Sequence, residues 1–325
     1  MRGGVPTATS HFAGGFVQGQ IDFENFLGSP IGVTMIPGLR YDFYTSNADD
    51  SEEKKTSTEF SPKFALQIRP IEQISIFGSW GKAFRAPNLN ELFPTGTHFV
   101  IAGFGTNSFI TNTELEPQTT ITREVGMGLR FRSVITRNDQ FKVKGARYWI
   151  KGQNFIDTEV INPSPPACFP PNCNGTTQSI NVPSASLQGY EIEGSYESKY
   201  ALFEAGYAEI DGQNNETEAP LGVLTPDKLT LHAAAKLPQY NSRLGWRLSY
   251  FDDFTNTTDV TLLRSGYYLS DVYAHWSASK DSFLSGLGIT VGVDNLFDKK
   301  YSRIANNSPE PGRNYKATLR YSKSF

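Results

Sequence analysis

One histidine, His98 in Gly96-Thr97-His98-Phe99, lies midway along a stretch that leaves an aromatic segment at Phe77-Gly78-Ser79-Trp80 and returns at Asn112-Thr113-Glu114-Leu115-Glu116-Pro117. An imidazole nitrogen can donate a lone pair to a transition metal. Aromatic residues crowd the same stretch, at Phe93, Phe99, Phe104 and Phe109. They could cover an apolar ligand, or pack against one another to keep a long loop compact. Arg85 could meet an anion through a charge-assisted pair, or pair with a neighbouring strand. A lone histidine on a long loop usually just sits in water, so these residues describe a ligand-catching loop only if strands surround them.

Composition favours strands. The chain has 325 residues, of which 13% are aromatic and 38% hydrophobic, with 29 Gly, 19 Pro and a net charge of −3. Such a profile is rich in turn residues and poor in long apolar runs. No segment reaches the roughly 20 apolar residues of a transmembrane helix. A transmembrane β-barrel stays open, because its strands alternate apolar with polar residues. A nucleic-acid partner is not expected, since the basic clusters are no longer than Lys54-Lys55 and Lys299-Lys300.

Alternation is clearest where Leu287, Ile289, Val291 and Val293 interleave with Gly288, Thr290, Gly292 and Asp294. It recurs at Leu244, Trp246, Leu248 and Tyr250, and at Val125, Met127, Leu129 and Phe131. The last segment places Tyr315, Ala317, Leu319, Tyr321 and Phe325 on one face, broken by Lys323. A soluble sandwich would alternate as well. Connection lengths separate the two, because about thirteen strands can be counted whose links alternate between short and long, as in transmembrane barrels. Short links fall near 27–30, 69–71, 133–139, 198–200, 238–242 and 280–283. Long ones fall near 46–57, 85–117, 161–183, 211–226, 255–265 and 298–313, all at one rim, which would be extracellular.

The segment Gly78-Ser79-Trp80-Gly81-Lys82-Ala83-Phe84-Arg85-Ala86-Pro87, followed by Leu89, Glu91 and Leu92, resembles the barrel signature of TonB-dependent outer-membrane receptors. Val293-Asp294-Asn295-Leu296-Phe297-Asp298, then Tyr301 and Pro311-Gly312-Arg313, is similar to the last hairpin of the same family. That resemblance implies an all-β, antiparallel transmembrane β-barrel. Residues 1–325 would be about 13 C-terminal strands of a roughly 22-stranded barrel whose plug is absent, a single domain and a fragment. Phe84, Arg85, Ala86 and Pro87, a histidine, and then Asn112 and Leu115 resemble the haem and haemoglobin receptor subgroup, although Thr113 and Glu114 depart from its pattern.

The subgroup resemblance implies a role for each residue of the loop. His98 would be an axial ligand of haem iron, Phe99 and Phe104 would cover the porphyrin, and Arg85 would meet a propionate. Haem is then a transported ligand, taken free or from haemoglobin or another haem-carrying protein, with no catalytic cofactor. The other implied partners are TonB, acting through the plug, and the lipid and lipopolysaccharide of a Gram-negative outer membrane. The alternatives are a receptor for a siderophore or other metal chelate, and a truncated remnant that does not transport.

The remaining motifs carry bland expectations. His232 and His275 fall on the polar phase of their strands and His11 at the outer end of the first, so wall hydrogen bonding is expected of all three. No spacing sets a Ser or Asp beside one of them, and an enzyme is not expected. Asp211-Gly212-Gln213-Asn214-Asn215-Glu216 lacks the alternate acidic positions of an EF-hand and reads as a solvated loop. On the barrel reading Cys168 and Cys173 lie in an extracellular loop. A disulfide there would contribute only about 2 kcal/mol on the chain-entropy model and would be of minor consequence for ligand binding.

Overall fold

The computed structural model describes residues 4, 7–48, 54–163, 167–221, 224–257, 263–303 and 309–322. They form one curled sheet with almost no helix. The strands in chain order are β1 Ala8–Gln18, β2 Ile21–Phe23, β3 Gly32–Ala48, β4 Lys54–Ile71, β5 Ile74–Arg85, β6 Thr97–Ile101, β7 Gly105–Phe109 and β8 Gln118–Arg132. They continue as β9 Gln140–Ile161, β10 Gly175–Glu197, β11 Ala201–Asn214, β12 Lys228–Leu237, β13 Ser242–Phe251, β14 Tyr267–Ser277, β15 Leu287–Asp294 and β16 Asn314–Tyr321. Of these sixteen, thirteen make one path of nearest neighbours from β1 to β16. The other three branch from it, β2 onto β3, β6 onto β7, and β7 onto β10. Every pairing is antiparallel except that of β7 with β10.

The period-2 pattern sets the register. Ala233, Trp246, Val272, Val293 and Tyr315 stand opposite one another across five strands, as one row of the apolar face. One residue along, His232, Arg247 and Asp271 make a polar row on the other face. A slip of one residue would exchange the two faces, so every ladder is locked by its neighbours. The polar face encloses a concavity of about 1370 Å³ lined by Glu124, Lys142, Lys144, Glu204, His232 and Arg247 among others. Glycine opposite an aromatic recurs on this face, as Phe77 over Gly126, Tyr148 over Gly189 and Tyr273 over Gly245. A Cβ at Gly245 would come 2.2 Å from the Tyr273 ring, so the ring fills the space a side chain would need.

Most turns fall where the sequence places them, with links at 133–139, 198–200, 238–241 and 278–286 on one rim. Three expected links differ. Residues 19–31 are longer than expected because Ile21–Phe23 folds back onto β3. The long link expected at 46–57 contracts, because β3 and β4 stay paired as far as Asn47 opposite Lys54; residues 49–53 lie outside the described residues. The link expected at 161–183 contracts for the same reason. β9 and β10, of 22 and 23 residues, remain paired up to Ile161 opposite Thr176. They are the longest strands among the described residues. The expected break at Lys323 and the expected apolar position of Phe325 lie outside the described residues.

One short-link turn is held by a buried carboxylate. Asp139 accepts from the backbone N–H groups of Val134, Ile135 and Thr136 at 2.7, 2.9 and 2.6 Å, and from the Tyr196 hydroxyl at 3.0 Å. Burial opposes its ionisation, but these donors outweigh it and hold the carboxyl well below the usual range.

Candidate ligand-binding site

The link of residues 86–117 is folded from its base upward. Asn88 caps the single-turn helix α1 (Leu89–Leu92), its side chain accepting from Glu91 N while Glu91 reaches back to Asn88 N. This capping box satisfies two N-terminal N–H groups of a turn too short to persist alone. Leu92, Phe93 and Leu115 are buried with Ala48 of β3, flanked by Ala8, Leu89 and Ile156. Ala86 and Pro87 are also buried, and the Phe84 ring tilts against Tyr44 at 6.1 Å. Asn112 fixes the return through Asn112 N to Leu92 O at 2.9 Å and its own amide to Ser179 O at 2.8 Å. The motif residues Phe84, Ala86, Pro87, Asn112 and Leu115 thus build the base of the loop. Phe93 belongs to this core at 2% exposure and cannot face a ligand.

Above the base, β6 and β7 make a hairpin closed by Ala102-Gly103-Phe104, where Gly103 takes a φ of +74° that a side chain would strain. β7 then adds in parallel to the projecting end of β10, with Asn107 opposite Gly175 and Phe109 opposite Thr177. The hairpin is therefore an extension of the main sheet, and His98 is mounted on it.

The His98 ring is exposed, with Phe109 at 4.5 Å and Phe99 at 4.8 Å between centroids. Its Nδ1 lies 2.9 Å from Thr177 Oγ1, and Thr177 Oγ1 in turn donates to Asn107 Oδ1 at 2.5 Å. Among the described residues Nε2 has no partner. Phe104 sits in the hairpin turn and its ring makes no such contact with His98; Phe109 takes the place expected for it. Arg85 is committed elsewhere, with Nη1 at 2.9 Å from both Glu91 oxygens and Nε and Nη2 at 3.2 and 3.1 Å from Gln118 Oε1. Four of its contacts are spent at the loop base, which argues against the propionate role and for the pairing role.

Cys168 and Cys173 form a disulfide, with Cα atoms 5.2 Å apart. Its position ties this loop to the hairpin that carries His98. Cys173 N donates to Phe104 O at 3.0 Å, and Thr106 N donates to Asn174 Oδ1 at 3.0 Å, so the ring clasps the hairpin turn. Gly105 is essential to that closeness, since a Cβ there would fall 2.3 Å from Cys173 O. Sequence reasoning missed Gly105, Asn107 and Thr177. The alternation through Gly105, Asn107 and Phe109 hints at a strand, but nothing local pairs it with Thr177.

The second motif, at the other end of the rim, is also structural. Asn295 adopts a φ of +51°, and its side chain binds Lys299 at both N and O, 2.8 Å each. Leu296 O accepts from Arg313 Nε at 2.9 Å, and Phe297 is 64% exposed, edge-on to Tyr268. His232 lies between Glu204, 2.7 Å, and the Tyr273 hydroxyl, 2.9 Å, and His275 between Thr290 and Ser277. Both are wall residues, as expected. His11 departs from that expectation, being exposed on the edge strand β1 with no hydrogen bond to its ring among the described residues.

A barrel sheet with its long links gathered at one rim is what a family model described as TonB dependent receptor-like, beta-barrel matches, over residues 3–296. The chain belongs to that family. A relative from Yersinia pestis named hemin receptor is 27% identical over 97% of this chain and 44% of its own length. Among solved structures, the FrpB iron transporter from Neisseria meningitidis (F3-3 variant) aligns with a TM-score of 0.69 at 18% identity, over 97% of this chain and 45% of that one. The Serratia marcescens hemophore receptor HasR, a double mutant in complex with its hemophore HasA and heme, also gives 0.69, at 17% identity over 96% and 51%. Equal likeness to proteins named for different cargoes means that the barrel fold does not discriminate cargo. This TonB-dependent receptor-like chain spans less than half the length of the hemin receptor it matches. No helix among its described residues is long and apolar enough to cross a membrane.

Proposed function

We propose that residues 1–325 form a C-terminal segment of the barrel of an outer-membrane receptor that captures haem outside the cell, free or from a haem-carrying protein. Import would be driven by TonB through a plug supplied by the rest of the receptor. The long-link rim is the extracellular one, the apolar face meets lipid and lipopolysaccharide, and no catalytic step is assigned. The observation that carries this reading is the β6–β7 hairpin, which holds an exposed His98 ring against Phe99 and Phe109, its Nε2 without a partner among the described residues. A neutral imidazole nitrogen suits haem iron, and flanking phenyl rings suit a porphyrin face. The hemin-receptor name of the Yersinia pestis relative supports the same cargo.

The test is a haemin titration of the full-length receptor in detergent, followed in the Soret band, with and without His98→Ala. Replacing the iron bond by water is expected to weaken binding by about 1–3 kcal/mol, roughly 5- to 150-fold, and to change the spectrum. Unchanged affinity and an unchanged band would remove His98 as a ligand. Absence of haemin binding by a folded receptor would transfer the assignment to a siderophore or other metal chelate, or to a receptor that takes haem only from a protein carrier.

A further inference from the structure

The His98 ring is joined to two side chains that no motif contains, and their hydrogen bonds run in a determined direction. Asn107 Nδ2 lies 2.8 Å from Asn162 Oδ1 and 3.2 Å from Thr176 O. A backbone carbonyl can only accept, so this edge of the Asn107 amide is its NH2 group and the opposite edge is its oxygen. That oxygen faces Thr177 Oγ1 at 2.5 Å, a separation two oxygen lone pairs could not tolerate, so the Thr177 hydroxyl proton lies between them. The same hydroxyl, its proton spent, offers only lone pairs to His98 Nδ1 at 2.9 Å. The proton on the imidazole is then on Nδ1, and the lone pair is on Nε2.

Burial makes the chain one-way. Thr177 is 1% exposed and Asn107 2%, so water has no room to supply an alternative partner and reverse the order. Gly175 keeps the cradle open, because a Cβ there would stand 2.9 Å from Asn107 Nδ2 and 2.3 Å from Ile161 O. Each member comes from a different part of the fold: His98 from β6, Asn107 from β7, Thr177 from β10. The parallel addition of β7 to β10 is what brings them together.

We infer that Asn107 and Thr177 are positioning residues that hold the neutral His98 ring as its Nδ1–H tautomer, so that the nitrogen it presents to a ligand at the loop surface is Nε2 with its lone pair. The tautomer itself follows from the hydrogen bonds; its consequence for iron rests on the proposed function. A histidine that donates its other N–H to a fixed acceptor has its ring orientation set and its basicity raised, and loss of such a partner typically costs about 10- to 100-fold in metal affinity. A neutral hydroxyl acceptor belongs at the low end, so about tenfold is expected here.

Two measurements on the full-length receptor test this. The first needs no haem: 15N spectra of histidine-labelled protein, with His98 assigned by difference from His98→Ala, should show a protonated Nδ1 and an unprotonated Nε2. The same spectrum is expected for Thr177→Ser, which keeps the hydroxyl, and a mixture of tautomers for Thr177→Val, which removes it while nearly keeping its shape. The second is the haemin dissociation rate, expected to rise about tenfold in Thr177→Val and to stay near wild type in Thr177→Ser. A wild-type His98 protonated on Nε2 would overturn the inference. So would a Thr177→Val tautomer indistinguishable from wild type, or a Thr177→Ser variant that behaves like Thr177→Val. If the 15N spectra follow expectation while haemin binding ignores both Thr177 and His98, the positioning stands and the haem assignment fails.

Discussion

Replacing Leu115 by Ala should loosen the long loop without loosening the barrel. Leu115 is fully buried in a cluster whose other buried members are only Leu92, Phe93 and Ala48, with Ala8, Leu89 and Ile156 at its fringe. Truncating a buried Leu to Ala costs about 2–5 kcal/mol, more where the surroundings cannot close the gap. Here one wall of the cluster is a four-residue helix in a loop, which can settle inward, so the lower part of the range applies, about 2–3 kcal/mol. The backbone at Leu115 should stay in place, since Asn112 and Glu116 on either side are tied to Ser179 O and to Asn181 Oδ1. The loss therefore falls on local opening, and about 1.4 kcal/mol per tenfold converts it to roughly 30- to 150-fold faster amide exchange within the loop. The reporters are Phe93 N, bonded to Leu89 O, and Asn112 N, bonded to Leu92 O, both at 2.9 Å. Hydrogen exchange read by mass spectrometry on the full-length receptor should show this in peptides from 86–117 and leave those from the β9–β10 ladder unchanged. Equal acceleration everywhere would mean that the loop is not a separate cooperative unit. No acceleration in 86–117 would mean that the cluster does not hold it.

Other expectations follow from single contacts. Gly105→Ala should push the hairpin turn off Cys173 O, speeding amide exchange at Phe104–Thr106 and haemin release together; normal values for both would refute the clasp. Arg85→Gln should leave haemin affinity within about threefold, under about 0.7 kcal/mol, because the guanidinium already serves Glu91 and Gln118 in a partly exposed pair. A loss beyond tenfold would restore the propionate role. Asp139 has a folded-state pKa below its unfolded one, so its contribution is present above the unfolded carboxylate range, about pH 4, and is lost as pH falls toward the folded value. The melting-temperature gap between wild type and Asp139→Asn should therefore be constant near neutrality and shrink below about pH 4. A gap independent of pH would show that the ionised carboxylate does not hold the turn.

Much of this architecture is legible along the chain because it depends on neighbours in sequence. Alternation at Leu287–Asp294 and Leu244–Tyr250 dictates strands with two unlike faces, since side chains of a strand point alternately to either side. Turn residues at 133–139 and 198–200 end strands where they stand. The path of thirteen strands follows from those local signals, and so does the placing of His98 on a long loop at one rim. Pair lengths were harder to read: nothing in residues 162–183 says that β9 and β10 stay joined, because polar residues pair in a ladder as well as apolar ones when each is supported by its partner.

Tertiary structure alone decided what His98 can do. The sequence makes Phe93, Phe104 and Phe109 equivalent, and only packing buries the first, carries the second to a turn and sets the third against the imidazole. Arg85 looks free in sequence and is taken by Glu91, six residues on, and Gln118, a strand away. The cysteine ring reads as an isolated loop until the hairpin turn closes on it. Asn107 and Thr177 are 70 positions apart and carry no common pattern, yet the parallel pairing of β7 with β10 sets one against the other and both behind the ring. Strands and turns are specified by residues close in sequence, whereas a hydrogen-bonded direction from Asn107 through Thr177 to His98 exists only once three strand segments have met.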